Sequence, residues 1–187
     1  SGAALLSGMT DAGVLTSIDV EAEHQRVARE TFTALGYDHT RTRLIAGRAL
    51  DVLPRLSDAA YDILFVDADK TEYPAILAQA KRLLRVGGLA IFDNVLWGGR
   101  LADAGQRDAE TVALRDLTAA VRADDDWMPA LLTVGDGLLV ARIAEAAVDR
   151  GGGERSRVRG RPPSVASPRR SAMPASWSPR ATSTRWR

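Results

Sequence analysis

The side chains best equipped for chemistry in this chain stand in two short strings, Asp67-Ala68-Asp69-Lys70 and Asp93-Asn94. Asp67, Asp93 and Asn94 are hard oxygen donors, the kind that suits Mg²⁺, an octahedral ion that keeps waters a substrate oxygen can displace. Lys70 can lose its proton where desolvation or a neighbouring cation lowers its pKa, so it can act as a general base. It is one of only two lysines in a chain with 23 arginines, which makes its position notable. Each string also has a plainer reading. An Asp-x-Asp at a strand end is commonly just solvated, and Lys70 could form a surface ion pair with Glu72 or Asp69. The two strings together favour the metal and the base.

Each string closes an apolar run. Tyr61–Val66 and Gly88–Phe92 are too short for typical helices, rich in β-formers and separated by a helical pattern, so they read as buried parallel strands. Ligands in open α/β sheets bind just beyond the carboxyl ends of such strands, where these polar residues fall. The rest of the chain alternates in the same way, which argues for a mostly parallel sheet with helices on both faces and right-handed crossovers. Strands are expected at Val14–Ile18, Thr42–Ala46, Ile63–Val66 and Leu89–Phe92, with helices at Ala3–Met9, Glu21–Leu35, Leu50–Leu56, Tyr73–Leu84 and Ala109–Ala123. Two closing strands, Met128–Val134 and Leu138–Ile143, are expected to pair antiparallel through Gly135-Asp136-Gly137.

Asp19, at the end of the first of these strands, could accept hydrogen bonds from ribose hydroxyls or merely cap the following helix. Gly47-Arg48-Ala49 could set a backbone N–H against an adenine edge, or be a simple turn. An acidic residue in the position of Asp19 follows a glycine-rich loop by about 20 residues, which places that loop and its strand at or before Ser1. The expectation is therefore a chain shortened at its amino end. His24 and His39 read as solvated helix and loop residues, and Asp124-Asp125-Asp126 as a solvated loop.

Composition excludes several classes. There is no cysteine, so disulfides and thiolate metal sites are ruled out, and 45% hydrophobic with 26% charged residues suits a soluble domain. No apolar stretch approaches the roughly 20 residues of a membrane span, and the start lacks a basic leader, so a cytoplasmic protein with no membrane partner is expected. Charge divides the chain. Residues 1–150 hold 16 Lys and Arg against 23 Asp and Glu, whereas 151–187 hold nine Arg against one Glu. The second stretch, rich in Arg, Ser and Pro without apolar periodicity, reads as disordered, giving a domain over 1–145 and a tail over 146–187. The tail has no ordered basic face or base-reading element, so nucleic acid is not the expected partner.

The motifs Ile18-Asp19, Gly47-Arg48-Ala49-Leu50, Phe65-Val66-Asp67-Ala68-Asp69-Lys70 and Gly87-Gly88 through Phe92-Asp93-Asn94-Val95-Leu96-Trp97 resemble the cation-dependent, S-adenosylmethionine-dependent O-methyltransferases of the catechol and caffeoyl-CoA type, bacterial branch, over roughly residues 1–145. The resemblance implies an α/β Rossmann-like methyltransferase sandwich that lacks its first strand and ends in an antiparallel hairpin. It implies that Asp67, Asp93 and Asn94 hold the divalent metal and that Lys70 is the base. Asp19, Gly47, Ala49 and Asp67 would bind the cofactor, and Asp69 and Trp97 would lie beside a hydroxylated small-molecule acceptor. A homodimer is implied for the full-length member. Two rival readings remain: a non-catalytic remnant of the fold, and a Rossmann-type nucleotide-binding oxidoreductase, which shares Asp19 but gives no reason for Asp67, Asp93 and Asn94 together.

Overall fold

A computed structural model describes residues 1–145. The expected tail over 146–187 lies outside the described residues. Along the chain run α1 (Gly2–Gly8), β1 (Leu15–Asp19), α2 (Ala22–Ala34), β2 (Thr42–Ala46) and α3 (Ala49–Val52), which tightens into a 3₁₀ turn at Leu53–Arg55. Then come β3 (Tyr61–Val66), a 3₁₀ turn at Lys70–Glu72, α4 (Tyr73–Leu83), β4 (Leu84–Asp93), tight turns over Trp97–Ala102, α5 (Ala109–Ala123), β5 (Trp127–Leu132) and β6 (Leu138–Ile143).

The strands form two sheets among the described residues. β1 and β2 pair in parallel, and β3, β4, β6 and β5 follow in that order as a four-stranded sheet. β3 and β4 are parallel, and β6 is antiparallel to both of its neighbours. β1 and β3 thus each pair along one edge only among the described residues. The unpaired β3 edge shows in its side chains, with Ile63 45% exposed inside a strand.

The core lies between the four-stranded sheet and helices α4 and α5. Tyr73, Ile76, Leu77, Ala80 and Leu83 repeat at helical spacing on α4 and meet Leu114, Leu117 and Val121 of α5 and Val66, Ala90 and Phe92 of the strands. Burying each large apolar side chain contributes about 1.5–3 kcal/mol. Pro74 falls in the first turn of α4, where its missing N–H costs no helical bond. Asp108 starts α5 by accepting the Thr111 N–H.

Three expectations are corrected. β4 begins at Leu84, five residues before the expected start, because the chain bulges there. Its register on β3 jumps between Tyr61 and Ile63, and a Cβ on Gly88 would lie 2.8 Å from the Arg85 carbonyl. The closing hairpin turns through residues 133–137, with positive φ at Gly135 and Gly137 but not at Asp136. The segment expected as one helix at Leu50–Leu56 is α3 plus its 3₁₀ turn. No helix among the described residues is long and apolar enough to cross a membrane.

Candidate active site

The carboxyl ends of β3 and β4 meet at Lys70. Its side chain is almost wholly buried, and its Nζ donates to the Tyr73 hydroxyl at 2.6 Å. Asn94 Oδ1 lies 3.4 Å and Asp67 Oδ1 3.5 Å from the same nitrogen, so oxygens from two strand ends converge on one amine. Lys70 bonds neither Glu72 nor Asp69, the partners of the plainer reading; the 3₁₀ turn aims it inward. Glu72 instead takes Arg48, at 2.6 Å, across the 24 residues that separate them. That contact holds the Arg48 guanidinium above its usual pKa.

Asn94 adopts φ 57°, a left-handed conformation that Asn tolerates better than most residues, and its N–H donates to Asp93 Oδ1 at 2.7 Å. The turn that follows is braced by the closing hairpin. Val95 and Leu96 donate to the carbonyls of Gly137 and Asp136, and the Gly98 N–H reaches Asp136 Oδ1 at 2.8 Å. Trp97 is held there at φ 52°, strained for a bulky residue, with Lys70 Nζ 6.0 Å from its ring centroid. Its indole Nε1 is buried without a hydrogen-bond partner.

A crevice of about 410 Å³ opens beside this cluster, lined by Asp19, Gly47, Arg48, Ala49, Asp67, Asp69 and Glu72 among others. Its size lies in the range of small-molecule pockets. Asp19 is engaged at both oxygens: Oδ1 accepts the Glu21 N–H at 2.8 Å, and Oδ2 lies 3.2 Å from His24 Nδ1. His24 itself stands exposed on α2, as the sequence predicts. The Gly47 N–H bonds the Asp19 carbonyl at 2.9 Å and ties the ends of β1 and β2 together. Asp69 lies along the crevice and caps the 3₁₀ turn, where the Thr71 hydroxyl and N–H hold its carboxyl below the usual range. A second hollow of about 360 Å³, beside Arg29 and His39, gathers none of these residues.

The sequence reading thus named two groups that the fold keeps together: Asp67, Lys70, Asp93 and Asn94 with Trp97 nearby, and Asp19, Gly47, Ala49, Asp67 and Asp69 around the crevice. It missed Tyr73 and the pairing of Arg48 with Glu72. A hydroxylated aromatic three residues after Lys70, one helical turn away, was the available signal for Tyr73. Among the described residues no three His, Cys, Asp or Glu side chains cluster as a metal site. The oxygen set suggested here has two carboxylates and one amide, a composition that fits a hard cation retaining water.

The O-methyltransferase family profile matches residues 2–144. A Mycobacterium tuberculosis protein described as an O-methyltransferase is 50% identical over 141 residues, which is 75% of this chain and 63% of that protein. The chain therefore spans less than two thirds of that curated relative. A crystal structure from Corynebacterium glutamicum aligns with a TM-score of 0.74 at 35% identity, covering 78% of this chain and 67% of the other. The O-methyltransferase TomG from Streptomyces achromogenes, solved in complex with SAM, aligns with a TM-score of 0.70 at 29% identity over 75% of this chain and 66% of its own. The fold they share with it is the α/β Rossmann-like methyltransferase fold. With a profile running from one end of the described residues almost to the other, and half of the aligned positions held in common with a mycobacterial member, this chain belongs to the O-methyltransferase family.

Proposed function

We propose that this chain carries the base, metal and adenosine positions of an S-adenosylmethionine-dependent, divalent-cation-dependent O-methyltransferase acting on one of two adjacent hydroxyls of a catechol-like small molecule. The observation that carries the reading is the convergence of Asp67 and Asn94 oxygens on the buried Lys70 amine beside the crevice of Asp19, Gly47 and Ala49. A solvated strand end has no reason to bury a lysine there. An oxidoreductase has no use for the oxygen set.

Asp67, Asp93 and Asn94 would hold the cation, with Mg²⁺ the best match to their hardness. When bound, the cation supplies acidity to a coordinated hydroxyl, and S-adenosylmethionine supplies a methyl group on a sulfonium. Asp19 accepts hydrogen bonds from the ribose hydroxyls with lone pairs left over from Glu21 and His24. The N–H of Ala49, first residue of α3, would meet the adenine edge. Lys70 takes the hydroxyl proton on Nζ as the acceptor oxygen bonds the methyl carbon and the carbon–sulfur bond breaks. Trp97 lies beside the acceptor, with its unpartnered indole N–H able to meet an oxygen. Charge is lost when an anion attacks a sulfonium, so alignment contributes more than further stabilisation of charge.

The test is titration of the folded chain with S-adenosylhomocysteine, with Mg²⁺ and then with EDTA, followed by methyl transfer to a panel of catechols. Micromolar binding and Mg²⁺-dependent transfer support the proposal. A folded chain that binds no S-adenosylhomocysteine overturns it for this chain and leaves the reading of a non-catalytic remnant.

A further inference from the structure

We propose that Tyr73 is the positioning residue for Lys70: its hydroxyl fixes the amine between Asn94 and Asp67 and keeps it off the Asp67 carboxylate. The inference rests on the reading of Lys70 as the base. Tyr73 is 0% exposed, so it touches neither acceptor nor cofactor. Its hydroxyl lies 3.0 Å from the Asp93 carbonyl, 3.2 Å from the Val66 carbonyl and 2.6 Å from Lys70 Nζ.

Proton accounting gives these contacts a direction. Both carbonyls can only accept, so the single hydroxyl proton goes to one of them, and an oxygen lone pair is left facing Lys70. Lys70 must then be the donor. One N–H of the amine is spent on Tyr73 in either charge state, and the nitrogen lone pair of the neutral amine is left for a substrate proton. The same hydroxyl bridges the carbonyls just before Asp67 and at Asp93, so it also ties the two strand ends that bear the oxygen donors.

Distances show which partner governs the amine. Asn94 and Asp67 stand at 3.4 and 3.5 Å, the outer limit of a hydrogen bond, while Tyr73 stands at 2.6 Å. Without the hydroxyl, the nearest opposite charge is Asp67, and the amine is drawn onto a carboxylate that the cation needs. The ring makes a separate contribution. It packs on Phe92 at 5.2 Å between centroids and lies 4.7 Å from Nζ. Tyr73→Phe keeps the ring and removes only the hydroxyl.

The composition supplies an internal reference, because the chain has two lysines, Lys70 and Lys81. Lys81 is half-exposed and held by Asp124 and Asp126. Acetylation of the intact chain at fixed pH by a small N-hydroxysuccinimide ester, read by peptide mass spectrometry as the Lys70-to-Lys81 ratio, reports how firmly the amine is held without requiring turnover. Tyr73→Phe should lower this ratio about 10-fold, the size of one hydrogen bond to a charged group, because an amine drawn onto Asp67 no longer presents a free lone pair. Leu117→Ala, at a fully buried core position that is no partner of the Tyr73 hydroxyl, is the control for simple loosening and should change the ratio less at a comparable loss of melting temperature. In an active chain Tyr73→Phe should also lower kcat about 10- to 100-fold with the acceptor KM within about twofold. An unchanged or raised labelling ratio, or an equal fall in Leu117→Ala, overturns the positioning role. A Lys70→Ala chain that keeps full turnover overturns the base reading instead, and the labelling result still decides what holds the amine.

Discussion

The two ends of the site rest on unequal halves of the molecule. All members of the main core cluster fall between Leu53 and Ile143, and Asp67, Lys70, Asp93 and Asn94 stand at the ends of its strands. The half built from α1, β1, α2 and β2 buries only Leu6, Gln25 and Phe32, leaves every β1 residue partly exposed and shows Val27 and Leu35 to solvent. Asp19 and Gly47, on the proposed cofactor side of the crevice, belong to that half. Parallel strands are normally covered on both faces and flanked by others, and a two-stranded sheet is marginal by itself. The proposed base and its oxygens are therefore expected to hold their geometry when the proposed cofactor side loosens, and the two proposed roles separate under mutation.

The largest effect falls on the packed half. Lys70→Ala should lower turnover about 10²- to 10⁴-fold while leaving S-adenosylhomocysteine affinity nearly unchanged. Equal loss of both, measured by initial rates and calorimetry, would merge the two regions into one. Next in size is the core beneath the site. Phe92→Ala, at a fully buried strand position, should cost about 3–5 kcal/mol in denaturant unfolding. Phe32→Ala, also buried, should cost less in the same transition because α2 with its sheet opens separately. Matching losses would show one cooperative unit.

The same division explains what the sequence disclosed. Strand ends in the packed half were legible because short β-branched and apolar runs there alternate with one long helical pattern, and polar residues at such ends have few structural uses. Lys70 could be singled out for the same reason. Its partner could not. A buried tyrosine reads as core, and only tertiary packing shows that its hydroxyl sits between two carbonyls and an amine. Arg48 and Glu72 are too far apart in sequence for spacing to pair them. Asp124 and Asp126 read as a solvated acidic loop, yet both bind Lys81 on α4. The early start of β4 was hidden by Gly87-Gly88, which looks like a turn and is a bulge carrying the strand past Asp62.

A smaller effect tests the thin half directly. Asp19→Ala should weaken S-adenosylhomocysteine binding about 10-fold, as expected for lost hydrogen bonds to a carboxylate. It should also speed amide hydrogen exchange in β1 and the start of α2, since Asp19 accepts the Glu21 N–H. Exchange in β3, β4 and β6 should not change. If those strands exchange faster as well, the crevice transmits across its floor and the halves are not independent.

The smallest effects are at two aspartates, one in each half, whose folded carboxyls are stronger acids than usual. Asp108 is lowered from 3.8 chiefly by the Thr111 N–H, and Asp38 chiefly by the Thr40 hydroxyl. Between each folded value and that of the unfolded chain the native state binds fewer protons. Each contribution is thus complete above the ordinary aspartate range and is lost as pH falls through the folded value. For Asp108, which starts a helix packed on the main core, the loss should reach global unfolding. Asp108→Asn should lower the melting temperature at pH 7, and the gap to the parent chain should close as pH falls through the lowered folded value. Asp38→Asn should instead show as faster exchange over residues 38–42, with little change in the global midpoint. A midpoint shift from Asp38→Asn as large as that from Asp108→Asn would mean that the turn before β2 unfolds with the core, and the division of the molecule into a firm catalytic half and a loose cofactor half would fail.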